Sequence, residues 1–141
     1  MPYTIVLFVS RKPGLSTAQF KDHYENVHMA ILKSVAGSTF PVSHTRKYVA
    51  RVDSGAGIRA GVSPGPGATS STPVVLVGDV KEVDWDAYAE LTFRDALHFQ
   101  QFFAVVNEPE AAEKIQEDEV KFSDADKFKV VVLGETTSTR A

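Results

Sequence analysis

Cysteine is absent from this 141-residue sequence. That excludes disulfides, thiolate metal centres, iron–sulfur clusters and cysteine nucleophiles together. An extracellular domain of this length is usually stapled, so the absence points to a cytoplasmic protein. Charge of one sign is scarce too: the formal net charge is −3 and no run of five like charges occurs. A nucleic-acid platform needs a clustered basic face that displaces counterions, and none is visible. Long hydrophobic runs are also missing. The apolar stretch Ile5–Val9 is too short to cross a bilayer and lacks the flanks of a signal peptide. The expected partners therefore include neither nucleic acid nor membrane, and no targeting segment is read. What is present is 43% hydrophobic and 23% charged residues, enough for one core in a single domain spanning residues 1–141.

The periodicities predict an alternation of strands and helices. Tyr3–Ser10 is rich in β-branched and aromatic residues and stops before the Pro13-Gly14 turn. Ser16 with Gln19 makes a capping box. Behind it, Phe20, Tyr24, Val27, Ile31 and Val35 form one apolar stripe that ends near Gly37. Ser43–Val52 has strand composition. Residues 53–73 hold Gly55, Gly57, Gly61, Gly65 and Gly67 with Pro64 and Pro66, and read as a mobile insertion without regular structure. Its tail, Val74–Val77, is a further candidate strand extension. In Trp85–Phe93 the large apolar residues fall at odd numbers, as on one face of a third strand. Asp95 caps a helix carrying Leu97, Phe99, Phe102, Phe103 and Val106, of which the three phenylalanines read as core. A second helical stretch follows Pro109, and Lys127–Glu135 is the fourth strand. This order is the α+β ferredoxin-like βαββαβ fold with a four-stranded antiparallel sheet. Its open face asks for a second copy, a homodimer closing an α/β barrel.

Lys12-Pro13-Gly14-Leu15-Ser16 followed by Phe20, His23, Tyr24 and His28 resembles the N-terminal signature of EthD-domain proteins. Phe93–Phe103, and then Pro109 with Asp118-Glu119, Phe122 and Asp124, resemble that family's second half. The likeness spans nearly the whole chain apart from the insertion. It is most similar to small fungal EthD-like proteins of aromatic polyketide pathways, some of which are dehydratases. Related dimeric α/β barrels include cyclases, isomerases and monooxygenases, so fold alone fixes no reaction.

His23 and His28 are the leading chemical candidates. On an α-helical wheel with Phe20 as reference, His23 falls near about −60°, Tyr24 near about +40° and His28 near about +80°. They flank the stripe from opposite sides. A joint metal site on a helix wants a spacing of three or four, so no metal is expected. A cavity histidine titrates near neutrality and serves as general acid or base. Its plainer role is to hold the helix on the sheet.

Asp118 reads either as part of a solvated acidic face or as an inward carboxylate orienting an imidazole. Glu119 and Asp124 read as structural. Tyr88 and Glu90 lie opposite the odd face of the third strand. If the odd face meets the helices, Tyr88 faces the dimer cavity as a carbonyl donor; a reversed register leaves both exposed. Tyr24, Tyr48, Glu90 and Phe93 are the candidate substrate contacts. His44 and His98 read as surface or packing residues. The glycine-rich segment carries no nucleotide motif.

No cofactor is implied. The leading expectation is a cofactor-independent lyase, a dehydratase or cyclase, acting on an aromatic polyketide through His28 or His23 with Tyr88 and Asp118. The alternatives are a cofactor-free monooxygenase of the same fold and a non-catalytic ligand carrier.

Overall fold

Ser16 opens the first helix as its sequence predicts. The Ser16 hydroxyl accepts from the Gln19 backbone N–H, and the Gln19 side chain accepts from the Ser16 N–H. Two orphan donors of the helix start are thereby satisfied. The computed structural model describes residues 1–141. The chain runs β1 (Tyr3–Val9), α1 (Thr17–His23), a π-helical turn (Tyr24–His28), α2 (Met29–Ala36), β2 (Ser43–Tyr48), α3 (Ala56–Arg59), β3 (Ala87–Phe93), α4 (Ala96–Val106), α5 (Pro109–Phe122) and β4 (Lys129–Val132). The strands form one antiparallel sheet in the order β2-β3-β1-β4. This is the expected α+β ferredoxin-like fold. No helix is long and apolar enough to cross a membrane.

The sheet has one covered face. Every odd residue of β3 is buried and every even one half-exposed. The odd side chains of β1 and β3 meet Leu32, Ala36, Phe102 and Ile115 from the helices. The register carries this face outward: Ala89 pairs with Leu7 on one side and Arg46 on the other, and Leu7 pairs with Val130. His44, Arg46 and Tyr48 of β2 consequently share the helix-facing side, because directly paired residues point the same way.

Four local expectations are corrected. The buried line of the first helix is Phe20, Tyr24, His28, Leu32 and Ala36, not one through Val27, Ile31 and Val35. From Tyr24 onward the phase moves by one residue, because the Met29 N–H bonds the Tyr24 carbonyl five residues back and the wider turn absorbs an extra residue. Phe103, read as core, is 55% exposed; α4 buries His98 and Phe102. Trp85 lies outside β3 and packs on Phe8 and Tyr88, with centroids at 5.5 and 6.4 Å, on the open face. The alternation stops because the neighbouring Asp86 carboxylate is held by Arg11 and Arg51. The last strand is shorter than read, since a 3₁₀ turn occupies Ala125–Lys127.

The fifth correction concerns the insertion. Val52 N–H donates to the Thr72 carbonyl, Asp53 N–H to Ser70 and Val74 N–H to Ala50, so its two arms pair, with a bridge between Arg51 and Pro73. Gly55, at φ 75°, makes the left-handed step from a 3₁₀ turn into α3, which a side chain would oppose. Val74–Val77 forms no strand. Arg51 also ion-pairs with Asp86, pinning the base of the insertion to the start of β3.

Candidate active site

Asp118 projects from α5 toward α1 and the π turn, 3% exposed. Its two oxygens serve two imidazoles. His23 Nε2 lies 2.9 Å from Oδ1, and His28 Nδ1 lies 2.9 Å from Oδ2. The expectation that these histidines diverge on opposite sides of a stripe is corrected here. The π turn between them holds both on the flank that meets α5. Phe122, one helical turn beyond Asp118, underlies both rings, with centroids 4.9 Å from each.

A carboxylate oxygen can only accept, so the His28 proton sits on Nδ1 and Nε2 carries a free lone pair. Nε2 has no hydrogen-bond partner in the protein and is not sealed from solvent. His28 lines a cavity of about 340 Å³ between the covered face of the sheet and the helices. Burial pushes the His28 pKa below that of an ordinary imidazole, against the raising influence of Asp118. At neutral pH the ring is therefore an uncharged base.

The cavity walls are mostly apolar, supplied by Leu7, Leu91, Phe102, Phe103, Ile115 and Val130 among others. Four titratable residues line this wall: Tyr24, His28, His44 and Glu119. Burial of Tyr24 pushes its phenol pKa up, keeping it protonated. Glu119 follows Asp118 in sequence but turns to the cavity, and burial, then the Asp118 charge, raises its pKa. The apolar cavity thus favours its neutral acid. His44 also lines the cavity, and its Nδ1 lies 2.9 Å from Arg46 Nη1. Burial, followed by the Arg46 charge, pushes His44 down to about 4. Arg46 in turn donates to both Glu25 oxygens, and the Tyr48 hydroxyl donates to Glu25 as well.

The structure brings together His23, His28, Tyr24 and Asp118 of the residues read from sequence. Tyr88 and Glu90 stand apart on the open face of the sheet, where the Tyr88 hydroxyl donates to Glu90 at 3.1 Å. The odd face of β3 does meet the helices, and the cavity lies on that side. Phe93 is a fully buried core residue against His98 and Phe102, and neither it nor Tyr48 lines the cavity. No residue of the insertion lines it either, so the insertion is not a lid over this space. His98 is a packing residue: its Nδ1 accepts from the Arg94 N–H and its Nε2 faces the Thr39 and Phe40 carbonyls.

Glu119 and His44 were missed as site residues. The signal for His44 lay in β2, where His44, Arg46 and Tyr48 alternate toward one face. For Glu119 it lay in its spacing of four after Ile115 and three before Phe122 along a single helix face. No group of three or more His, Asp or Glu side chains converges as metal ligands would.

The sequence matches the EthD domain family over residues 12–126. Among solved structures, a protein of Arabidopsis thaliana aligns at a TM-score of 0.55 and 14% identity, covering 98% of this chain and 99% of its own. An EthD-like protein from Ralstonia eutropha aligns at 0.54 and 13% identity, covering 99% and 96%. An EthD family protein from Bacillus halodurans aligns at 0.50 and 13%, covering 95% and 99%. These likenesses carry the fold. No curated protein matches the sequence.

Proposed function

The chain belongs to the EthD domain family, and on that premise we propose that it is a cofactor-independent lyase that removes water, with or without ring closure, from an aromatic polyketide-type hydroxyketone. One observation carries this reading. His28, backed by a buried carboxylate, lines an apolar cavity and keeps its second ring nitrogen without a partner in the protein. Such a dyad is suited to taking a proton from carbon. In the proposed step, His28 Nε2 removes the proton α to the ketone. The C–H electron pair becomes an enolate, then expels the β-hydroxyl as the new C=C bond forms. Glu119 gives that hydroxyl its proton, so water leaves. The imidazolium later returns a proton to Glu119 through solvent. Aromatisation supplies the thermodynamic pull, and the apolar walls suit a flat substrate.

A second copy is proposed for the open face of the sheet. Phe8, Trp85 and Tyr88 form an aromatic cluster there, and Val131 beside it is 44% exposed. Contiguous apolar surface on a bare sheet face is normally covered. In such a homodimer Tyr88 and Glu90 would sit between sheets, not beside His28.

The test is mass spectrometry of a β-hydroxylated aromatic polyketone incubated aerobically with the wild type and with His28→Gln. Loss of one water with the wild type alone supports the reading. Gain of an oxygen atom instead assigns the protein to oxygenation and overturns it.

A further inference from the structure

The cavity holds a second imidazole whose chemistry is the reverse of His28. Arg46 Nη1 carries only hydrogens, so the His44 Nδ1 that it meets at 2.9 Å must be the acceptor. The single proton of the neutral ring then resides on Nε2. A second proton on Nδ1 would set N–H against N–H, so this contact excludes the imidazolium by geometry. Arg46 cannot easily turn away. Glu25 holds it by two hydrogen bonds, its guanidinium lies over the Tyr24 ring at 5.9 Å, and Nη1 also donates to the His44 carbonyl at 3.0 Å.

His44 Nε2 has no hydrogen-bond partner in the protein, yet it is not sealed off. Both imidazoles pack edgewise against Tyr24, with centroids at 5.8 Å for His28 and 6.3 Å for His44. The wall of one cavity thus holds an imidazole with a free acceptor nitrogen and an imidazole with a free donor nitrogen, both packed against one phenol ring. A ketone with an acidic α C–H displays the complementary pair, a donor carbon beside an acceptor oxygen.

We infer that His44 is the group that binds and polarises the substrate carbonyl, its Nε2–H held as a donor by Arg46. The inference rests on the reading of this cavity as the active site. The negative charge that develops on oxygen as His28 removes the proton falls on the His44 N–H. A neutral imidazole donor is suited to that task, because it strengthens its bond to the enolate without surrendering a proton to the ketone. Arg46 is a positioning residue: it touches no substrate and acts through the tautomer of His44.

Two measurements test this on the full chain. Ring-nitrogen NMR of nitrogen-15-labelled protein is expected to find His44 with its proton on Nε2, uncharged down to about pH 5. Arg46→Met should release the second tautomer. A proton on Nδ1 in the wild type overturns the assignment. The second measurement compares the affinities of 1-tetralone and tetralin, which differ by the carbonyl oxygen. The wild type should prefer the ketone by about three- to tenfold, the range of one net hydrogen bond. His44→Phe should lose that preference, and His44→Gln should keep part of it. Equal affinity for the two ligands in the wild type, or a preference that survives in His44→Phe, overturns the role of His44 while leaving the cavity as a binding site. Binding of neither ligand overturns both.

Discussion

His23 immediately precedes a five-residue π turn that His28 closes, and the two share the carboxylate of Asp118, each at 2.9 Å. The two are not equivalent. His28 opens on the cavity, whereas His23 is not part of its wall. His28→Gln should lower turnover by about 10²–10⁴-fold, the usual contribution of a general base. His23→Ala should cost activity only through the aim of Asp118, so it should lower turnover far less. Steady-state kinetics on the dehydration substrate checks the ranking, and equal losses would contradict it.

Asp118→Ala should be the most damaging change to the fold among these residues. It leaves two imidazole N–H groups facing an emptied, buried space. Loss of a buried hydrogen-bonded partner costs about 1–3 kcal/mol for each group left unpaired. Asp118→Asn keeps the shape and one acceptor oxygen, so it should retain more stability while spoiling the His28 tautomer. Urea denaturation separates the two variants, and turnover of Asp118→Asn should fall although it folds.

The pH dependence has a defined sign. Burial depresses His28, and it depresses His44 to about 4. An unfolded chain would protonate both near 6.5. Their contribution to stability is therefore complete above that value and lost as pH falls through each folded-state pKa, which for His44 is about 4. The limiting slope is about 1.4 kcal/mol per pH unit for each histidine. For the same reason, the acid limb of the activity profile should lie below pH 6.5. Denaturation midpoints and rates measured across this interval check both statements; a profile rising above pH 7 would point to another base.

The first-helix stripe marks how far the fold is legible in the sequence. Element order and capping box follow from local pattern, because period and capping are local physics; the alternation of the third strand marks two faces without telling which one the helices cover. The stripe itself slipped by one residue after Tyr24. A wheel at a constant angle per residue has no place for the wider turn, and nothing in the composition of Glu25-Asn26-Val27 announces it. The same slip misread the relation of His23 to His28. His44 was passed over for a different reason: its meaning depends on Arg46 and on pairing with Leu91 across the sheet. Asp118 was legible because its neighbours Ile115 and Phe122 fix its helix face.

The insertion should be dispensable for ligand binding. Its residues contribute nothing to the cavity wall, while Arg51 at its base pairs with Asp86. Replacing residues 55–69 by a short glycine–serine turn should leave tetralone affinity within about twofold, as expected for changes at distant, independent sites. Calorimetric titration reads this directly. A large loss of affinity would show that the segment reaches the cavity in solution.

The open face of the sheet should set the oligomeric state. Val131→Lys places a charge beside Phe8, Trp85 and Tyr88 without touching the cavity lining. Analytical ultracentrifugation is expected to find a dimer for the wild type and a shift toward monomer for this variant. A wild-type monomer at micromolar concentration would remove the proposed partner.

Phe122 lies flat beneath His23 and tilted beneath His28, and it also touches Tyr24 and Phe20, with centroids at 5.3 and 5.7 Å. An imidazole tethered at one nitrogen and shelved on a ring has little freedom to swivel. The torsional entropy that a base would otherwise surrender on meeting its substrate has been given up when the chain folds. A smaller side chain at position 122 would hand that freedom back. Its signature would be a more unfavourable activation entropy, with the ionisation of His28 little altered.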